Sequence, residues 1–268
     1  MVTPHVRLVQ ITDVHLTGPD QLLFDRVDTW QQFCTALSAA GHFNPDGVLV
    51  TGDVYDKDQA MTAQFTTLIE TAQHELGCPV ILLPGNHDTP PTWQLEHVNA
   101  DSVGPEPGDS IHTIRGLRII SLNTHGQQVL QGHLTAEQLR WLGAELETTA
   151  IAGTVIAMHH PPVPTAHEFL STVGLADPSC LAQVLNSSDV RLIVSGHLHF
   201  QTAAMLGSIP VWSGPALAYQ QNAYAPAGTL QGLQQPGISI IDVFEDTHAV
   251  VPVPLMTSAT LFTRPIPQ

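Results

Sequence analysis

Three times between Val6 and Asp88 a short apolar run stops at a cluster of metal-binding residue types. Val6-Arg-Leu-Val-Gln-Ile-Thr12 runs into Asp13-Val14-His15, Gly47-Val-Leu-Val-Thr51 into Gly52-Asp53, and Cys78-Pro-Val-Ile-Leu-Leu83 into Pro84-Gly85-Asn86-His87-Asp88. Runs this short and continuous suit strands buried on both faces. Helical patterns lie between them. Asp28 can cap a helix over Asp28–Gly41, with Gln31 three residues on as in a capping box and Gly41 as its end. Trp30, Phe33, Cys34 and Leu37 then fall at i, i+3, i+4 and i+7 on one apolar face. A second helix is expected over roughly Gln59 to Leu76, with Asp56 and Asp58 solvated or capping it. Strand, helix, strand, helix, strand implies parallel βαβ units. The clusters must then converge at the carboxyl ends of one sheet, where ligands bind in α/β folds.

The pattern changes after Ser110. Ile111–Ile114 and Leu117–Leu122, joined by Arg115-Gly116, read as a β-hairpin, and Thr135 to Leu146 as a helix with a Thr135/Gln138 capping box. Leu139, Leu142 and Leu146 would form its buried face. Thr154–Met158 is a strand ending in His159-His160-Pro161-Pro162, and Val190–Ser195 a strand ending in Gly196-His197-Leu198-His199. In an extended segment residues i and i+2 share a side. Asp13 and His15 would therefore face together, as would His197 and His199, whereas His159 and His160 would face apart. His112, His125 and His133 have no partner at a suggestive spacing and are taken as surface residues or residues behind the ligands. Gln201–Leu206 and Ile209–Trp212 suggest another hairpin, Ala216–Gly237 a long loop, and Ile238–Phe244 and Ala249–Leu255 the final strands.

Composition narrows the class. At 43% hydrophobic and 12% charged the chain is a folded protein, with no apolar run of membrane-spanning length and no signal-peptide pattern at Met1–Ile11. Three cysteines (Cys34, Cys78, Cys180), odd in number and far apart, argue against a disulfide framework. A soluble cytoplasmic protein is expected. A formal net charge of −16 opposes binding of a nucleic-acid polymer but not of a small phosphorylated substrate, because bound cations can dominate the field of a site.

In order, the strand ends read Asp-x-His, Gly-Asp, Gly-Asn-His-Asp, His-His-Pro-Pro and Gly-His-x-His. This series resembles the calcineurin-like metallophosphoesterase family from about Val6 to Trp212. Thr51-Gly-Asp-Val-Tyr-Asp-Lys57, Gly116-Leu-Arg-Ile-Ile120 and Met158-His-His-Pro-Pro-Val-Pro164 point within it to the bacterial class III cyclic-nucleotide phosphodiesterases. The resemblance implies one domain over 1–268, a four-layer α/β/β/α sandwich of two mixed sheets, with C-terminal strands at about 238–255 completing the second sheet. It implies a dinuclear metal site at the carboxyl ends of the strands. Asp13, His15 and His199 would hold one metal, Asn86, His159 and His197 the other, and Asp53 would bridge them. His87 would contact the phosphoryl group and protonate the leaving oxygen, Asp88 would orient His87, and His160 would be a neighbour of the ligands. The family also includes homodimers, and the apolar C-terminal strands could pair with a second subunit.

The chemistry follows from the residue types. Two cations clamp a phosphoryl group and lower the pKa of a bridging water, and an imidazole serves as general acid near neutral pH. Seven candidate ligands and no Gly-x-Ser-x-Gly elbow favour direct attack by a metal-bridging hydroxide. A mixed N/O ligand set suits Mn, Fe, Co or Zn; the resemblance favours Mn or Fe. The expected substrate is a small phosphodiester, a 3′,5′-cyclic nucleotide such as cAMP. The alternative is another diester or a pyrophosphate, such as a glycerophosphodiester or a nucleotide diphosphate. The two differ in the pocket wall, for which the loops Leu16–Val27 and Ala216–Gly237 are the candidates. A non-enzymatic scaffold is disfavoured, because every ligand position is filled.

Overall fold

Side chains that alternate between two buried faces of the central strands set the layers. The computed structural model describes residues 5–18, 20–56, 63–88, 100–125, 130–256 and 259–264. In chain order the elements are β1 (Val6–Ile11), α1 (Thr29–Gly41), β2 (Gly47–Thr51), α2 (Ala63–Leu76), β3 (Val80–Leu83), β4 (Ser102–Val103), β5 (Ser110–Ile114), β6 (Leu117–Leu122), α3 (Ala136–Glu145), β7 (Thr154–Met158), a 3₁₀ turn (Leu170–Thr172), α4 (Pro178–Leu185), β8 (Val190–Ser195), β9 (Thr202–Leu206), β10 (Ile209–Ser213), β11 (Gln220–Gln221), β12 (Gly232–Leu233), β13 (Gly237–Val243) and β14 (His248–Pro254). One main sheet has the order β14-β13-β1-β2-β3, the other β4-β5-β6-β7-β8-β10-β9, and β11 and β12 form a separate two-stranded sheet. β1, β2 and β3 are parallel, as are β6, β7, β8 and β10, and antiparallel strands extend both sheets.

Successive side chains on a strand face opposite ways. Val9, Ile11, Val48 and Val50 pack against Phe33 of α1 and Phe65 of α2. Their strand neighbours Leu8 and Leu49 turn the other way, onto Leu117, Ile119, Val155, Ala157, Leu192 and Val194 of the second sheet. The far face of that sheet, with Ile120, Ile156, Met158 and Ile193, packs on Leu142 of α3 and Leu181 and Leu185 of α4. The result is the expected four-layer α/β/β/α sandwich of two mixed sheets. Two polar bridges tie the sheets together: Gln10 Nε2 donates to Ser195 O at 2.8 Å, and Trp212 Nε1 to Ser239 Oγ at 2.9 Å.

Several local expectations change. The C-terminal strands extend the first sheet, not the second, because β13 lies antiparallel to β1 with Leu8 opposite Ile241. Asp28 caps α1 by accepting Gln31 N at 2.8 Å, but the Gln31 amide donates onward to Thr35 Oγ1 at 3.3 Å instead of closing a capping box. The buried face of α1 runs through Phe33, Ala36, Leu37 and Ala40; Cys34 is exposed. The Thr135/Gln138 box forms in full. Residues 57–62, which include Asp58 and the expected start of α2 at Gln59, lie outside the described residues. No helix was expected at α4, which Asp177 and Pro178 open and Leu181 and Leu185 bury.

At the end of the second sheet remote from the clusters, Arg118 gathers several segments. It donates to Asp189 Oδ1 at 2.9 Å, Thr154 Oγ1 at 2.9 Å and Glu145 O at 2.6 Å, and is 8% exposed. Arg118→Ala removes the cation from a largely buried Asp189 carboxylate that keeps, among the described residues, only Ala150 N and Thr154 Oγ1 as donors, so chemical denaturation should show a loss of about 2–3 kcal/mol.

Candidate metal centre

The strand ends converge, but not by strand alternation. β1 stops at Ile11 and β8 at Ser195. Asp13 (φ 53°), His15 (φ 49°), Asp53 (φ 50°), His197 (φ 70°) and His199 (φ 48°) then all take left-handed backbone. Such conformations are costly for non-glycine residues and cluster where surrounding structure enforces them for function. Here they swing side chains from neighbouring strands into one buried cluster. Asp13 receives Thr12 Oγ1 at 2.9 Å and the His197 N–H at 3.0 Å, and lies 3.4 Å from His199 Nε2. His15 Nε2 is 3.1 Å from His199 Nε2 and 3.6 Å from Asp53 Oδ2. Asp53 Oδ1 accepts the His87 N–H at 2.9 Å and lies 3.3 Å from His159 Nε2. His159 Nε2 sits 3.2 Å from Asn86 Oδ1. Nδ1 of His159 is anchored on Thr51 O and Nδ1 of His199 on Tyr219 O, each at 2.8 Å. Both rings therefore turn Nε2 inward, as backbone carbonyls behind metal-bound histidines do.

The donor set fits cations. Ligand atoms of Asp13, His15 and His199 lie within 4.8 Å of one another, as do those of Asp13, Asp53 and His159, and those of His159, His160 and His197. His197 Nε2 and His160 Nε2 are buried without a partner. Burial opposes the charge on Asp53, yet the charge and hydrogen bond of His159 hold its carboxyl well below the ordinary range. Burial likewise opposes, and His199 enforces, ionisation of Asp13. Against their own burial, Asp53 raises His159 to about 9 and Asp13 raises His199. Burial, then the neighbouring His159 charge, lowers His197 to about 4; burial also lowers His15. The cluster thus joins carboxylates whose ionisation is favoured to imidazoles, of which His197 keeps an unpartnered Nε2, a donor set that suits cations.

Three details depart from expectation. His159 and His160 do not diverge: past the end of β7 their rings meet T-shaped at 5.0 Å, and His160 is tied to Thr124 Oγ1 through Nδ1 at 2.8 Å. Asp88 does not orient the His87 ring. Its carboxylate accepts Val54 N, Tyr55 N and Gly85 N at 3.0, 3.0 and 2.9 Å, while His87 Nδ1 donates to Asp56 O. Asp88 instead joins the loop after β2 to the loop after β3. Asp88→Ala leaves three buried N–H groups without an acceptor, and its urea midpoint should fall by the equivalent of about 3 kcal/mol. Asp56, read as solvated or capping, has Oδ1 3.5 Å from His15 Nδ1 as well as its carbonyl on His87. The signal for it was the short run Asp53-Val54-Tyr55-Asp56, which turns back on the site.

The model of the calcineurin-like phosphoesterase family matches residues 6–201. The chain belongs to this family. Family membership makes it a phosphoester hydrolase and implies divalent metal ions. The phosphoesterase is 35% identical over 257 residues to a Mycobacterium tuberculosis protein named cAMP/cGMP dual specificity phosphodiesterase, covering 93% of this chain and 80% of that one. It is 31% identical to a Vibrio vulnificus protein named 3′,5′-cyclic adenosine monophosphate phosphodiesterase, covering 80% of this chain and 77% of that one. A dimetal phosphatase from Danio rerio shares the phosphoesterase fold, with TM-score 0.63 at 14% identity over 94% of this chain and 97% of that one.

Proposed function

We propose that the chain is a single-domain, metal-dependent phosphodiesterase acting on a small phosphodiester, a 3′,5′-cyclic nucleotide such as cAMP. In this reading Asp13, His15 and His199 hold one cation and Asn86, His159 and His197 the other, with Asp53 shared. Mn and Fe are the preferred metals. The observation that carries the reading is the cluster itself: two carboxylates, an amide oxygen and four imidazoles gathered where the carboxyl ends of both sheets meet, with the Nε2 atoms of His159 and His199 turned inward. Bound cations there supply Lewis acidity, which activates water and stabilises the attacking and leaving oxygens. The chain's own residues do the rest. The amide oxygen of Asn86 adds a donor without adding negative charge. His87 donates through Nδ1 to Asp56 O, which leaves Nε2 free, and in its imidazolium form the Nε2–H proton would pass to the departing ester oxygen and leave the ring neutral. The 35% identity to a cyclic-nucleotide phosphodiesterase over 93% of this chain supports the substrate class. No helix among the described residues is long and apolar enough to cross a membrane, and a cytoplasmic location is part of the proposal.

The test is a substrate panel on metal-stripped protein reloaded with Mn²⁺. Hydrolysis of 3′,5′-cAMP well above that of glycerophosphodiesters and nucleotide diphosphates is expected. The reverse order would move the substrate to the alternative class.

A further inference from the structure

We propose that a recess beside the metal cluster is a nucleobase subsite, and that it prefers a purine; this rests on the phosphodiesterase reading above. The recess encloses about 530 Å³, within the range of small-molecule sites. Phe24, Arg26, Tyr219, Gln221, Leu230 and Gln234 are among its walls. Two loops build it, joined through Leu23, Val27, Ala218 and Tyr219.

Its position is fixed by one ring. Tyr219 lies 4.1 Å from the His199 ring and 6.2 Å from that of His15, and it meets Phe24 edge to face at 5.4 Å. The Tyr219 carbonyl holds His199 Nδ1, and Gln221 N donates to His199 O at 2.7 Å. One wall of the recess is thus the chain that positions a candidate ligand. A phosphoryl group at the cluster and a base in the recess are separated by a single aromatic ring.

The lining suits a base. Leu23 and Val27 exchange backbone hydrogen bonds of 2.9 and 3.0 Å, closing a tight loop with Phe24 near its tip. Phe24 is 65% exposed with φ 54°, backbone that a bulky residue rarely adopts. The fold therefore holds an aromatic ring out of the core at a cost, beside a second ring, as a stacking surface requires. Polar groups complete it. The Gln221 side chain lines the recess, and its Oε1 has no hydrogen-bond partner among the described residues. A carboxamide pairs with the amino and N7 edge of adenine, and a guanidinium such as that of Arg26 with the O6 and N7 edge of guanine. A purine also offers the larger face for stacking on Phe24 and Tyr219, which favours it over a pyrimidine.

The test compares kcat/KM for 3′,5′-cAMP, 3′,5′-cCMP and methyl 4-nitrophenyl phosphate, which has no nucleobase, in the Mn²⁺-loaded full chain and in Phe24→Ala and Gln221→Ala. Wild type should favour cAMP over cCMP. In each variant the cAMP to methyl 4-nitrophenyl phosphate ratio should fall at least about 10-fold, mainly through KM. An unchanged ratio, or no purine preference in wild type, overturns the subsite. Should wild type cleave none of the three, the activity reading fails, and binding decides the subsite separately. AMP binding tighter than ribose 5-phosphate, with the difference lost in Phe24→Ala, supports the recess; equal binding overturns it.

Discussion

Asp53→Ala is expected to lower kcat/KM toward any phosphodiester substrate by on the order of 10³-fold or more, equivalent to about 4 kcal/mol of transition-state stabilisation. Asp53 is 2% exposed and faces both halves of the cluster, with His15 Nε2 3.6 Å from Oδ2 and His159 Nε2 3.3 Å from Oδ1. It also accepts the backbone N–H of His87, the proposed proton donor, at 2.9 Å. Removing it takes away a negative charge proposed to serve two cations and loosens the residue between the cluster and the leaving group. Metal analysis separates these effects from unfolding. The variant should keep a cooperative thermal transition while its bound Mn²⁺ falls from two per chain toward one. Full occupancy with near-normal turnover would show that Asp53 is not shared.

Gly85→Ala should have the next largest effect, without removing any functional group. A Cβ at position 85 would overlap the Asp53 carboxylate and backbone nitrogen, and would lie 2.8 Å from His159 Nε2. Gly52, with φ 89°, is equally confined: a Cβ there would strike the His159 ring and approach Gly85 Cα to 2.9 Å. The loops after β2 and β3 touch backbone to backbone beneath the cluster, so neither can retreat. Displacing Asp53 or His159 by a fraction of an ångström in a pre-organised site should lower turnover by about 10²-fold. Gly143→Ala is the matched control. It lies within α3, where a Cβ meets nothing nearer than Val184 Cγ1 at 3.8 Å, and should leave turnover intact while raising stability by about 0.5–1 kcal/mol. Equal losses in both variants would show that Gly85 has no special role.

The layers were readable because each buried strand is a compact apolar run that ends in a polar cluster. Gly47–Thr51, Thr154–Met158 and Val190–Ser195 form strands with the expected limits. Arg115 (φ 50°) and Gly116 (φ 86°) make the expected tight hairpin turn. Strand pairing across the chain was not readable. Ile238–Phe244 is apolar enough for either sheet, and only tertiary packing places β13 beside β1. The short α4 was missed because its Asp-Pro start and two buried leucines are a weak pattern in isolation. At the site, residue types, their order and the parallel βαβ topology pointed to the cluster, whereas Asp13 and His15, and His197 and His199, meet through left-handed backbone and not through alternation along extended strands. The role of Asp88 was also hidden, because three backbone N–H groups from two loops leave no trace in local sequence. Asp56 was overlooked for a related reason, since its carbonyl, which any residue would supply, is what holds His87.

The most direct test of the central claim is a Mn²⁺ titration of the metal-stripped chain, with bound metal and phosphodiester hydrolysis measured on the same samples. Binding should saturate at two ions per chain, with turnover rising as the second site fills and lost in Asn86→Ala. Full turnover at one ion per chain, or two bound ions with no hydrolysis of either cAMP or an aryl phosphodiester, would contradict a dinuclear phosphodiesterase.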